Sequence, residues 1–127
     1  MARRAAKKDS IVFFISQAAF RKWLERNHAR ASELHVGLRK TSSKKPGLDY
    51  QQALEEALCF GWIDGVRRRL DAERWTIRFT PRKKGTVWSA VNVRKALELD
   101  KRGLLAPPGL AAFRARKPSR RKPATGG

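Results

Sequence analysis

At 127 residues with 41% hydrophobic content, the chain carries enough apolar material for one core, which excludes a disordered polyelectrolyte over its whole length. Its net charge of +19 suggests a polyanionic partner, yet ten positive charges fall in residues 1–8 and 114–127, leaving +9 over residues 9–113. The single cysteine excludes an internal disulfide, and no apolar run reaches membrane-spanning length.

Residues 1–9 read as a basic tail. Residues 11–15, Ile-Val-Phe-Phe-Ile, are β-branched and aromatic and predict a strand; they are too short for the apolar region of a signal peptide, so a cytoplasmic protein is expected. Ser16 caps a helix over 17–27 in which Phe20, Trp23 and Leu24 form a buried stripe at helical spacing. His28 falls near the end of that helix. In 33–40, Leu34, Val36 and Leu38 alternate with polar residues as in a half-buried strand, with His35 pointing outward. Neither histidine has a second ligand nearby in sequence, so no metal is expected.

A polar, Lys-rich loop from Thr41 to Gly47 precedes Asp49, which caps a helix and forms a capping box with Gln52. Tyr50, Leu54 and Leu58 recur every four residues beside Ala53 and Ala57, while Glu55 and Glu56 are expected to face out. Cys59 sits at the apolar end of this helix and reads as buried and inert. Gly61 occupies the position of a left-handed C-terminal cap.

Residues 62–70 and 74–80, joined by Asp71-Ala72-Glu73, predict a hairpin. In its second strand Trp75, Ile77 and Phe79 share one face and Arg74, Thr76, Arg78 and Thr80 the other. Regular alternation in the first strand puts Trp62, Asp64, Val66 and Leu70 on the core side and Arg67 and Arg69 on the outer side. The resulting ladder of Arg67, Arg69, Arg74 and Arg78 is offset, paired with carboxylates, or held for an anion, because like charges set opposite one another destabilise a sheet.

Asp64 on the inward face needs compensation for its lost hydration. It is an acceptor for backbone NH groups, a partner of an arginine such as Arg78 or Arg82, or a ligand-handling acid; a bulge at Gly65 is a further route, turning it outward. The basic loop from Pro81 to Thr86, with Arg82, Lys83 and Lys84, leads into a helix over roughly 88–102 that carries Ala90, Val93 and Leu97 inward and ends at Gly103. Trp88, Ser89 and Asn92 lie in its first turns. Free NH donors beside lysine and arginine would suit a phosphate or carboxylate. Pro107-Pro108 opens a short helix from which Leu110 and Phe113 dock back, and residues 116–127 read as a second basic tail.

Phe20 to Leu24, Leu34 to Gly37, Ala53 to Gly65, Arg78 to Arg82, Trp88 to Asn92 and Gly109 to Phe113 together resemble the bacterial YdeI/OmpD-associated, or bacteriocin-protection, family over roughly residues 11–115. His35 stands where tryptophan is common in that family. The resemblance implies a small cytoplasmic α+β domain linked to stress or bacteriocin resistance, with no catalytic residues or cofactor to carry over.

The expectation is therefore a single α+β domain over 10–115, with about four mainly antiparallel strands and three to four helices. It would act as a non-enzymatic binding module for an anionic partner, foremost nucleic acid. Arg67, Arg69, Arg74, Arg78, Arg82, Lys83 and Lys84 would contact phosphates, with Trp88 stacking and Asn92 hydrogen-bonding. A rival class is a small-molecule pocket around Asp64, Arg78, Arg82, Trp88, Ser89 and Asn92 for an anionic metabolite. Ser89 has no histidine base and no Gly-rich phosphate loop occurs, which speaks against catalysis. A third class is a protein-interaction adaptor.

Overall fold

The computed structural model describes residues 11–40, 47–83 and 85–117. The expected tail at 1–9, all but the first two residues of the expected tail at 116–127, most of the 41–47 loop and Lys84 lie outside them. Among the described residues four helices, α1 (Gln17–Asn27), α2 (Tyr50–Cys59), α3 (Ala90–Lys101) and α4 (Pro107–Arg114), accompany three strands, β1 (Leu34–Arg39), β2 (Trp62–Arg69) and β3 (Arg74–Pro81). The strands form an antiparallel sheet in the order β1-β3-β2, so this is the expected α+β class with three strands in place of about four.

The missing strand is residues 11–15. Val12 alone bridges to β1, in parallel: its NH donates to the His35 carbonyl at 2.9 Å and its carbonyl accepts from Gly37 NH at 2.8 Å. The chain must turn into α1 within a few residues, where the Ser16 hydroxyl accepts from Ala19 NH at 3.1 Å, so the ladder cannot extend.

One face of the sheet is the core. Leu34, Val36 and Leu38 of β1, Trp62 of β2, and Ile77 and Phe79 of β3 are all buried. Phe20 from α1 meets Phe79 with ring centroids 5.8 Å apart, and Trp23 meets Trp62 edge-on at 5.9 Å. Helix α2 contacts all three other helices and β2, and its capping box is complete: Asp49 accepts from Gln52 NH at 3.0 Å, and the Gln52 side chain accepts from Asp49 NH at 3.1 Å. Glu56, expected to face solvent, is buried instead, because α1 packs on that side of α2. Its carboxylate accepts from Arg21 at 3.0 Å and Gln17 at 2.8 Å, satisfying the charge.

Two glycines permit the close approach of α4 to the end of α2. Gly61 has φ +76°, the left-handed cap the sequence predicts. Gly109 lies against the Cys59 carbonyl so tightly that a Cβ there would overlap it. Helix α3 is capped by Ser89, which accepts from Asn92 NH at 3.1 Å, and begins at Ala90, two residues later than expected. Its inward face is Ala96 and Leu99 with Val93 partly buried, whereas Ala90 and Leu97 face solvent. Phe113 packs back as expected. The ordered body runs past the expected boundary at 115, since Lys117 NH donates to the Thr86 carbonyl at 3.0 Å and Lys117 bridges to Val87. Among the described residues, no helix is long and apolar enough to cross a membrane.

Candidate anion-binding surfaces

The hairpin decides which arginines stand together, and it departs from regular alternation. Asp64 pairs with Phe79 but Arg67 pairs with Ile77, so Gly65 and Val66 oppose the single residue Arg78: a β-bulge. One extra residue reverses the facing of everything after it. Val66 is thereby expelled from the core, 62% exposed, and Arg67 and Arg69 share the inner face with Ile77 and Trp75. The expected ladder of Arg67, Arg69, Arg74 and Arg78 on one face does not form. Arg68, between Arg67 and Arg69, joins the outer face opposite Thr76.

Asp64 precedes the bulge and stays inward. It accepts from the Tyr50 hydroxyl at 2.9 Å and lies 3.9 Å from the Arg67 guanidinium. Its arginine partner is thus Arg67, not Arg78. The Arg67 guanidinium in turn stacks on Tyr50 and Trp75, 4.8 and 5.2 Å from their ring centroids. Burial, then the bond to Asp64, pushes the Tyr50 phenol above its ordinary range. This is a structural cluster whose members satisfy one another, with Arg67 still exposed at its rim. Arg69 is spent on the turn, donating to the Asp71 carbonyl at 3.3 Å.

On the outer face, three rows cross the sheet. Arg39 pairs with Arg74, Gly37 with Thr76 and Arg68, and His35 with Arg78. No side chain rises from Gly37; the Phe13 ring lies there, leaving no room for a Cβ, with the Arg74 guanidinium 5.1 Å from its centroid. Phe13 remains 44% exposed, so part of an aromatic ring is presented among arginines. Arg78 is held by Glu33 at 2.7 Å and Arg74 by Asp71 at 2.8 Å, both exposed pairs. The hydrogen bond from Arg74 holds the Asp71 carboxyl below the usual range. Exposed pairs of this kind are weak and screened by solvent, too weak to keep an arginine from a phosphate. Arg68 is exposed with no partner among the described residues.

The 81–92 segment forms a separate place. Arg82 NH donates to the Gly61 carbonyl at 2.9 Å, fixing the loop at the end of β3. Its guanidinium stacks on the Trp88 indole, 4.0 Å from the centroid, while its buried Nε has no hydrogen-bond partner. Burial pulls it down to about 10, against a small opposing pull from Asp64. Trp88 is only 4% exposed and meets Phe113 edge-on at 5.4 Å, so it cannot stack a base as expected. Lys83 is exposed; Lys84 lies outside the described residues. The Ser89 hydroxyl is occupied as the α3 cap, and Asn92 is half-buried on the first turn.

The predicted rival pocket therefore falls apart: Asp64 belongs to the Tyr50–Arg67 cluster, Arg78 to the outer face, and Arg82 to Trp88. Burial raises the Cys59 thiol to about 11, which keeps it from acting as a nucleophile near neutral pH. No group of His, Cys, Asp or Glu that could hold a metal occurs among the described residues. What sequence reasoning missed is Phe13 as a surface residue and Arg68 as an outer one; the Gly65 signal pointed to the bulge but was applied to Asp64 alone.

No match was found among curated proteins or among solved structures. A protein-family match does cover residues 12–112, most of the folded body: the chain belongs to the family described as a domain of unknown function, DUF8412.

Proposed function

We propose that the chain is a non-enzymatic binding module whose outer sheet face takes single-stranded nucleic acid. The observation that supports it above the others is Phe13, an aromatic ring seated at Gly37, 44% exposed and with Arg74 against it, in a field that includes Arg68, Arg78 and His35. Bases stack on exposed aromatic rings without sequence preference, and arginines follow the backbone phosphates. The excess positive charge adds attraction that falls with salt. The resemblance to the YdeI/OmpD-associated family favours a cytoplasmic setting in bacterial stress or bacteriocin resistance.

Fluorescence anisotropy of the full chain on labelled oligothymidine, across a salt series, tests this reading. Phe13→Ala should weaken binding about tenfold, the loss of one stacked base. Arg68→Ala should lower the magnitude of the salt slope by about 0.7, one phosphate contact to a single strand. Binding unchanged in both variants would assign the affinity to charge elsewhere in the chain and overturn the proposal.

A further inference from the structure

Several arginines of the body have carboxylate partners: Arg21 with Glu56, Arg39 with Asp49, Arg67 with Asp64, Arg74 with Asp71 and Arg78 with Glu33. Arg82 does not. It is half-buried, its Nε is out of contact with solvent, and its guanidinium makes no hydrogen bond to protein among the described residues. The nearest acid, Asp64, acts on it only at a distance and is already engaged by the Tyr50 hydroxyl and Arg67. A guanidinium enclosed to this extent is ordinarily met by an oxyanion.

The surroundings add charge of the same sign. Arg116 stacks on Phe113, 3.9 Å from its centroid, and Phe113 is the edge-on partner of Trp88, which carries Arg82 on its face. The Lys117–Thr86 bond ties the 116–117 segment to the same loop, and exposed Lys83 follows Arg82 directly. None of Arg82, Lys83, Arg116 and Lys117 makes an ion pair among the described residues. The same loop holds a second orphan, the buried Thr86 hydroxyl, which has no partner either. Arg116 also donates to the Phe113 carbonyl at 2.8 Å, which fixes its place. Four cations without a carboxylate partner among the described residues suit a dianion better than a single carboxylate.

We infer that Arg82, stacked on Trp88, together with Arg116 and Lys117 from the segment tied to Thr86, forms a seat for a phosphate monoester. The terminal Nη1 and Nη2 of the guanidinium, which unlike Nε are not enclosed, offer paired donors to the phosphate oxygens, and the indole holds the group flat. The aromatic faces here are already covered, so the seat reads the phosphate and not a base attached to it. It does not depend on the outer sheet face: variants of Phe13 or Arg68 that leave oligonucleotide binding untouched would not affect it.

The side-chain Nε–Hε resonance of Arg82 in the full chain reports on the seat directly, and substitution to lysine assigns it. Titration with inorganic phosphate at constant ionic strength should move that resonance saturably, with a dissociation constant on the order of 1 mM. Sodium chloride at the same ionic strength should not. Arg82→Lys, which keeps the charge and loses the fork, should weaken phosphate binding at least fivefold by calorimetry. A response that is linear in phosphate or reproduced by chloride overturns the inference; the wild-type titration decides even if the variant does not fold. Oligothymidine with and without a 5′-phosphate then separates the sources. A shift with the phosphorylated strand at far lower concentration than with inorganic phosphate makes the ligand a nucleic-acid end, and comparable concentrations make it a free phosphate monoester. A shift with the unphosphorylated strand alone shows a phosphodiester contact and refutes the monoester seat.

Discussion

Arg82→Met separates an arginine that awaits a ligand from one that holds the fold together. Methionine keeps a flexible apolar stem against Trp88 and removes the charge. The guanidinium sits at about 10, below the ordinary arginine range, because burial penalises its ion. That displacement would correspond to roughly 3 kcal/mol if the group were wholly enclosed. Half-buried and screened, it represents a cost on the order of 1 kcal/mol. The stack on Trp88 offsets this by about 0.5–1 kcal/mol. The variant should therefore unfold in urea at pH 7 within about 1 kcal/mol of wild type and with an unchanged m-value, since no partner is left stranded. In contrast, removing one partner of a buried ion pair costs about 3–5 kcal/mol. Phosphate at ten times its dissociation constant should stabilise the wild type by about 1.4 kcal/mol and the variant much less. A loss of 3 kcal/mol or more for Arg82→Met would show that the guanidinium is paired within the fold, and the reasoning would fail.

Tyr50→Phe should cost about 1 kcal/mol at pH 7 through the lost bond to Asp64. It should also flatten stability at alkaline pH: the folded phenol holds its proton longer than the unfolded one, so wild-type stability falls as pH rises above 10, which melts at pH 8 and above 10 would reveal. Gly109→Ala puts a methyl group into the Cys59 carbonyl, and the expected loss is about 1–3 kcal/mol in a urea titration despite alanine's better helix propensity. Cys59, buried and with its thiol raised to about 11, should resist a thiol reagent at pH 8 in the native chain and react at once in denaturant; fast native labelling would contradict its burial.

Local signals carried by a few neighbouring residues were legible in the sequence: the Ser16 and Asp49 caps, the Gly61 turn, the Asp71–Glu73 hairpin connection and the buried faces of α1 and β1. Each depends on backbone groups within a turn of the residue that satisfies them, so the sequence contains both parties. Tertiary structure alone decided three matters. Glu56 is inside because α1 brings Arg21 and Gln17 to it from 35 and 39 residues away. Phe13 is a surface ring because β1 offers it a glycine. Arg67 and Arg69 fall on the inner face because β3 pairs across an extra residue in β2, and the side on which a strand residue falls depends on the partner's register as well as on its own spacing.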